Sequence, residues 1–138
     1  MTTKEYLSQA YRIDKRINSK IEQLKHWQDL ATKATSTLSD TFGCSCENNH
    51  KMEDVIIKII DLKNEINADI DKLVDLKKDI MALIKTVENP EYQMLLELRY
   101  LCYKKWEQIA VFMECGIDNV YKMHLRALKS INFLKTLQ

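Results

Sequence analysis

The fold of this chain is decided by residues 95–137, which read LLELRYLCYKKWEQIAVFMECGIDNVYKMHLRALKSINFLKTL. Apolar residues recur there at three- and four-residue steps, which is the spacing of one face of an α-helix. Gly116 interrupts the pattern, and we expect it to end one helix in a left-handed conformation. Asp118 is a typical cap for the next helix, which is predicted to run from Asn119 onward. The stretch therefore predicts short helices joined by a tight turn.

A helix start is predicted just before this stretch, at Asn89, Pro90 and Glu91. Asparagine caps free amides, proline fits the first helical position, and glutamate is favourable near the positive end of a helix. Cys102 falls on the apolar face of the helix that follows, so we expect it in the core. A second helix is predicted next, and four of its residues would lie on one face: Trp106, Ile109, Ala110 and Met113.

Positive charge is concentrated on the last predicted helix. Residues 119–138 include no acidic residue and four basic ones, which are Lys122, Arg126, Lys129 and Lys135. The longer segment 90–138 has 7 basic and 5 acidic residues, a net charge of only +2. A basic helix of this kind is suited to contacts with phosphate groups. The alternative is that these residues merely complement the dipole of their own helix.

The pattern LELRYLCYKKWEQIA, followed by V.KMH..AL, resembles the fourth region of bacterial sigma factors. The whole chain is similar to an uncharacterised family of small phage and prophage proteins grouped with ArpU- and RinA-like phage transcription regulators. That similarity rests on KEYLSQAYRIDKRINSKIEQL, ATKATSTLSD, MEDVIIKIIDLKNEINADIDKLVDLKKDIM and the C-terminal pattern. The resemblance implies a sigma-like helix-turn-helix, in which Trp106, Ile109 and Ala110 belong to a positioning helix and the helix from Asn119 faces double-stranded DNA.

Five residues of the predicted recognition helix are candidates for DNA contact. The first turn of such a helix enters the major groove, so we expect Asn119, Tyr121 and Lys122 to approach base edges. Asparagine can read adenine there, and lysine can read guanine. Arg126 and Lys129 lie further along the helix, where contacts to phosphates are expected. Each of the five could instead be an ordinary solvated position.

The composition is that of a helical protein without a membrane segment. The 138 residues include only 2 Gly and 1 Pro, with 46% hydrophobic and 30% charged residues and a net charge of +1. No apolar run approaches the roughly 20 residues that span a bilayer. The N-terminal residues lack the hydrophobic run of a signal peptide. We therefore expect a cytoplasmic protein of a bacterial host cell, with its 4 cysteines reduced.

Two long amphipathic helices are predicted in the N-terminal part, over about residues 3–39 and 51–87, with a loop over residues 40–50. The expected fold is all-α, with a long antiparallel, coiled-coil-like helical hairpin in residues 1–88 and the helix-turn-helix in residues 89–138. Several apolar residues widen the stripe of the second helix beyond a two-stranded seam. A homodimer built as a four-helix bundle would bury that width. The alternative is a monomer whose C-terminal helices fold back onto the hairpin.

The sequence gives little support for a metal site or for catalysis. Cys44, Cys46 and His50 form the one cluster that resembles a metal site, but a fourth ligand is missing, so we interpret them as ordinary loop residues. No Gly-rich phosphate loop, HExxH or GxSxG motif occurs. We therefore expect no cofactor and no enzymatic activity.

Two functions are compatible with these patterns. The first is a dimeric, DNA-binding transcription regulator of a phage or prophage, whose hairpin dimerises or touches RNA polymerase. The second is a small phage protein that modulates or inhibits a host protein such as RNA polymerase without specific DNA recognition. Its working surface would be the second helix, because residues 52–89 hold 9 acidic and 6 basic residues, a net charge of −3. A solvated helix face explains the same charge.

Overall fold

The computed structural model describes residues 2–40 and 46–137, with side chains for residues 2–34 and 51–131. Within these ranges the chain is all-α and contains no strand, which confirms the all-α part of the predicted fold. The helices are α1 (Thr3–Asp40), α2 (Cys46–Lys85), α3 (Pro90–Leu96), α4 (Trp106–Phe112) and α5 (Ile117–Leu137). A π-helical turn, Glu97–Leu101, follows α3 directly.

The ends of the two long helices differ from those that the sequence predicts. α1 includes Asp40, and α2 begins at Cys46 rather than at Lys51, so the predicted loop over residues 40–50 is wrong at residue 40 and at residues 46–50. α2 ends at Lys85, two residues before its predicted end. The backbone amides of a first helical turn have no partner within the helix, so polar residues are common in such a turn. Residues 41–45 lie outside the described residues.

The start of α3 is formed as predicted, but its continuation is not an ordinary helix. The Asn89 side chain accepts a hydrogen bond of 2.9 Å from the backbone amide of Glu91. Beyond α3 the helix widens, because the amide of Cys102 donates to the carbonyl oxygen of Glu97 at 3.0 Å, five residues back. Tyr103 then adopts a left-handed backbone with φ 59°. This widened turn leaves Cys102 exposed, so its predicted place in the core is wrong.

The turn between α4 and α5 uses a different residue from the one that the sequence predicts. Glu114 has the left-handed backbone, with φ 54°, and Gly116 does not. The amide of Glu114 donates to the carbonyl of Val111, and that of Cys115 donates to the carbonyl of Ala110. These two bonds form a Schellman ending, which requires the left-handed residue at Glu114.

The last helix therefore begins earlier than expected. α5 starts at Ile117, two residues before the predicted Asn119. Asp118 lies inside the first turn of the helix and does not cap it, so that prediction is wrong. Gly116 immediately precedes the helix, and its carbonyl accepts a hydrogen bond of 3.2 Å from the amide of Val120.

Internal packing divides the chain into two compact units. The first unit comprises Met1–Ile13 and Leu73–Gln138, and the second comprises Asp14–Lys72. The first unit has a continuous apolar core of Leu7, Ala10, Ile80, Ile84, Val87, Leu95, Leu96, Tyr100, Ile109, Val120, Ala127 and Ile131. The division into functional domains at residues 1–88 and 89–138 stays a prediction.

The second unit has a much smaller buried core. Among its described side chains, the buried apolar residues are Ile17, Leu62 and Ile66. Lys20 of α1 and Asp69 of α2 form an ion pair of 2.7 Å beside them. The side-chain hydrogen bond from Lys20 holds the pKa of Asp69 below its ordinary value. In the part of the chain that the structure describes, no helix is both long enough and apolar enough to cross a membrane.

Candidate nucleic-acid interface

One face of α5 is fixed in the core of the first unit. Val120, Ala127 and Ile131 are fully buried at steps of seven and four residues, as expected for one side of a helix. The indole ring of Trp106, on α4, lies edge-on against the ring of Tyr121, with 5.4 Å between centroids. These contacts set the rotation of α5 about its axis and therefore determine which residues face outward.

The opposite face of α5 carries the predicted DNA-contact residues. Asn119, Lys122, Arg126 and Lys129 are all exposed, and their spacing of three, four and three residues places them on one side of the helix. Tyr121 is also exposed, but it lies toward Trp106 at the edge of this face. The structure thus brings four of the five candidates together on one surface and places the fifth beside it.

Leu125 is a member of this face that the sequence analysis missed. Its side chain is 60% exposed, and it lies one turn from both Lys122 and Lys129. A leucine at helical spacing is usually assigned to the core, so apolar pattern alone could not identify it as a surface residue. The lysines on either side are the signal that could have revealed it.

The charge of this face is not neutralised locally. Among the described side chains, no ion pair within 4.0 Å joins Lys122, Arg126 or Lys129 to a carboxylate. Residues 119–138 also contain no acidic residue. An unpaired cationic surface of this kind can attract a polyanion and release its counterions.

His124 belongs to the buried side of α5 and not to the exposed face. It is 6% exposed, and its Nε2 lies 2.6 Å from the hydroxyl of Tyr100 in a hydrogen bond between the two rings. Burial, and to a smaller extent the nearby charges of Lys4 and Arg99, lower the pKa of His124 to about 4. Burial also raises the pKa of Tyr100 to about 12. Both groups are therefore neutral at pH 7 and act as a polar link within the core.

The first unit also presents apolar side chains at its surface. Val111 and Phe112 at the end of α4 are 79% and 62% exposed. They line a groove of about 240 Å³ together with Leu98, Lys104, Gln108 and Ile109. Large exposed apolar residues beside a groove are common at sites of protein–protein contact.

The predicted weak metal cluster cannot be placed. Cys44 lies outside the described residues, and so do the side chains of Cys46 and His50. The side chains that are described contain no group of three or more His, Cys, Asp or Glu that could hold a metal ion.

The comparisons with known proteins give a family but no relative of known function. Residues 33–132 match the family model described as "Protein of unknown function (DUF1492)", and this span is more than two thirds of the chain. No curated protein matches the chain, and no solved structure matches it. The matched span includes all of α2, α3 and α4 and most of α5, with the face that carries Asn119, Lys122, Arg126 and Lys129. The chain therefore belongs to the DUF1492 family.

Proposed function

We propose that this protein is a DNA-binding transcription regulator encoded by a phage or prophage. The single observation that carries the proposal is the exposed basic face of α5, formed by Asn119, Lys122, Arg126 and Lys129. The whole chain has a net charge of only +1, so DNA affinity must arise from such a local surface. The resemblance to the fourth region of sigma factors points to the same surface.

In this proposal α4 and α5 act as the two helices of a sigma-like helix-turn-helix. α4 has seven residues, a tight turn follows it, and Trp106 contacts α5 through Tyr121 and His124 at centroid distances of 5.4 and 4.6 Å. This packing would hold α4 across the DNA backbone while α5 enters the major groove. A long antiparallel hairpin of α1 and α2 completes the proposed arrangement.

The side chains of this face are suited both to positioning the protein on DNA and to recognising its bases. Asn119 and Lys122, in the first turns of α5, would contact base edges through an amide and an ammonium group. Arg126 and Lys129 would contact phosphates. Leu125 lies between the lysines, where an apolar side chain can pack on a thymine methyl group. No bond is made or broken, and the effect on transcription would come from recruiting or blocking RNA polymerase.

The test is selection from pooled random duplex DNA, with sequencing of the retained fraction at two salt concentrations. The unmodified protein is expected to enrich one motif with an affinity that falls as salt rises. The double variant Lys122→Ala/Arg126→Ala should weaken binding to that motif by at least about tenfold, because it loses a base contact and a phosphate contact. Both side chains are exposed, so the fold should be retained.

The matched control is Lys25→Ala/Lys58→Ala, which removes the same charge from exposed positions in the second unit. It should leave the enriched motif and its affinity unchanged. Equal affinity of the two double variants, with circular dichroism showing both folded, would remove the support for DNA reading by α5.

Self-association as a homodimer is the second part of the proposal. Among the described side chains of the second unit, five large apolar ones are 40–56% exposed: Leu30, Ile56, Ile57, Ile60 and Ile70. A helix face with this many exposed isoleucines is typical of one that packs on another helix. A dimer would also present two DNA readers to a palindromic site. Sedimentation equilibrium should give a dimer mass, and Ile56→Glu/Ile60→Glu should give a monomer, whereas exposed Lys58→Glu should not.

A second candidate function is regulation of a host protein, such as RNA polymerase, by direct binding. The exposed Val111 and Phe112 favour it, because they line an apolar groove on the first unit. The acidic face of α2 is a weaker candidate surface, since Asp69 is buried and paired with Lys20. Val111→Ser/Phe112→Ser should abolish capture of purified RNA polymerase if this function is correct. The same variant should bind DNA normally if α5 alone is the reader.

A further inference from the structure

We propose that a cleft in the first unit, separate from the exposed face of α5, binds a phosphate group. This basic cleft is lined by three cations, Lys4 of α1, Arg99 of the π-helical turn and Lys105 just before α4. The other lining residues are Ser8, Tyr11, Tyr100 and Tyr103. None of the residues proposed to read DNA lines it. The proposal therefore does not depend on DNA recognition by α5.

The size of the basic cleft suits a phosphate group with part of its parent molecule. The cleft encloses about 220 Å³. This is more space than a single phosphate occupies. The aromatic rings of Tyr11 and Tyr103 also line the cleft, and they pack edge-to-face with 5.5 Å between centroids.

The three cations have no acidic partner that would cancel their charge. Within the described side chains, Lys4, Arg99 and Lys105 form no ion pair with a carboxylate, and no Asp or Glu lines the basic cleft. Like charges held close together repel one another, which is a cost that the folded protein recovers when an anion binds between them. The cleft is therefore electrostatically suited to an anion and unsuited to a cation.

The position of Arg99 is fixed without neutralising its charge. Its Nη1 donates a hydrogen bond of 3.0 Å to the carbonyl oxygen of Lys104, and its guanidinium carbon lies 4.3 Å from the centroid of the Trp106 ring. These contacts use one donor and one face of the guanidinium group, which leaves other N–H donors for a ligand. A planar guanidinium held in this way can bind two phosphate oxygens at once.

The backbone beside Arg99 also has an unusual conformation. Tyr103 has a left-handed backbone with φ 59°, and the ammonium group of Lys77 lies 4.8 Å from the centroid of its ring. A residue other than glycine in this region costs about 1–2 kcal/mol, so surrounding contacts must hold it there. Such strained residues cluster at binding sites, where they fix side chains in place. Here the strained residue lies between Arg99 and Lys105 in the chain, and all three line the cleft together with Lys4 of α1.

Electrostatic effects on a neighbouring group agree with the geometry. His124 forms a hydrogen bond with Tyr100, which lines the basic cleft, and the charges of Lys4 and Arg99 both contribute to lowering the pKa of His124. The positive potential of the cleft therefore reaches the imidazole ring. A bound phosphate would offset that potential and raise the pKa of His124, which gives an independent readout of binding.

The experiment is an NMR titration of the full chain with inorganic phosphate and, separately, with ADP, against sodium chloride at matched ionic strength. Saturable shifts are expected at the amides of residues 99–105, together with an upward shift of the His124 titration curve. Lys4→Gln/Lys105→Gln should weaken the affinity by at least tenfold. Arg99→Lys keeps the charge but removes two-point contact, so it should weaken binding by a smaller factor. The control Lys25→Gln/Lys58→Gln should bind as the unmodified protein does.

The source of the phosphate group is decided by comparing the probes. Tighter binding of ADP than of inorganic phosphate supports a free nucleotide as the ligand. Displacement of phosphate by duplex DNA, together with weaker DNA binding by Lys4→Gln/Lys105→Gln, supports a phosphate of the DNA backbone. Shifts that do not saturate, or that are the same in Lys4→Gln/Lys105→Gln, would overturn the proposal. DNA reading by α5 is tested separately through Lys122 and Arg126, so the two proposals can fail independently.

Discussion

Ile109 and Val111 are two residues apart on α4, and their environments differ completely. Ile109 is fully buried in the first unit, whereas Val111 is 79% exposed. Ile109→Ala should lower the free energy of unfolding by about 2–5 kcal/mol, because it removes buried methyl groups and leaves a cavity. Val111→Ala, the control on the same helix, should change it by less than about 0.5 kcal/mol. Urea denaturation gives both values, and similar losses would contradict the packing of α4.

His124 makes the stability of the protein depend on pH. Its pKa is about 4 in the folded protein, against 6.5 for an unperturbed histidine. The unfolded chain therefore binds more protons between these values, so the stability is complete above pH 6.5 and declines as pH falls toward 4. Between pH 7 and pH 5 the free energy of unfolding should fall by about 2 kcal/mol. Urea denaturation at the two pH values measures this change.

The control for this pH dependence is His124→Gln, which retains a polar side chain beside Tyr100 but does not titrate. Its free energy of unfolding should change much less between pH 7 and pH 5. Asp69 does not interfere, because the Lys20 hydrogen bond holds its pKa below 3.8, and its contribution to stability is lost only below that pH. A slope of stability against pH that is the same in His124→Gln would contradict the buried, neutral state of His124.

Individual residues were predictable from the sequence only where helical spacing decides their position. Asn119, Lys122, Arg126 and Lys129 fall on one face of α5 because a helix with Val120 and Ile131 buried must turn them outward. The position of His124 was open, since its spacing is compatible with core and surface. Its place depends on Tyr100, 24 residues away, whose hydroxyl is its hydrogen-bond partner. No local pattern reveals a contact of that kind.

At the scale of the elements, the junction of α4 and α5 gives the sharpest test of the structure. Glu114 adopts the left-handed conformation, in which residues other than glycine are strained. Glu114→Gly should therefore raise the free energy of unfolding by about 0.5–1 kcal/mol. Gly116 precedes α5, is not left-handed, and has no atom within 4 Å of an added Cβ. Gly116→Ser should stabilise the protein by about a few tenths of a kcal/mol, by capping α5.

Thermal denaturation of the two single variants would measure both effects. The sign for Gly116→Ser distinguishes the structure from the expectation based on sequence. If Gly116 were the left-handed residue, serine there would cost about 1–2 kcal/mol. A destabilised Gly116→Ser variant would therefore favour the sequence-based position of the turn.

The elements themselves were largely predictable, and their ends were not. Long apolar stripes indicated α1 and α2, and Asn89 with Pro90 indicated the start of α3. The π-helical turn was missed because its residues continue the spacing of an ordinary helix. The basic cleft was missed for a different reason. The cleft is lined by Lys4, near the N-terminus, and by Arg99 and Lys105, which are more than 90 residues later in the chain. These residues come together only after folding.

At the scale of the whole molecule, the two compact units should differ in local stability. The first unit has a continuous buried core, whereas the described side chains of the second unit bury Ile17, Leu62 and Ile66. Backbone amides in the middle of α2, at residues 55–70, should therefore exchange with deuterium faster than those of residues 80–84 and 120–131. Mass spectrometry after pulse labelling measures the difference. Equal protection of all three segments at low protein concentration would contradict this prediction.

The fold class was predictable because composition and periodicity report on it directly. Only 2 Gly and 1 Pro interrupt the chain, and its apolar residues repeat at helical spacing. The grouping of the helices was not predictable in the same way. Leu7 and Ala10, near the N-terminus, share a core with Leu95 and Ile131, and the sequence near each of them carries no sign of this contact. Such contacts form only when segments that are distant in the sequence pack together in the folded protein.

The surroundings of Trp106 have a spectroscopic consequence. Its indole ring contacts Arg99 of the basic cleft, Tyr121 at the edge of the α5 face, and the buried His124. The chain has only one other tryptophan, Trp27, in the second unit, so Trp27→Phe leaves a single emitter. Its fluorescence would then report on a ligand beside Arg99, if the proposed phosphate site is correct, on DNA beside Tyr121, if α5 is the proposed reader, and on protonation of the imidazole. One native fluorophore would thus monitor both proposed binding surfaces and the acid transition without any attached dye.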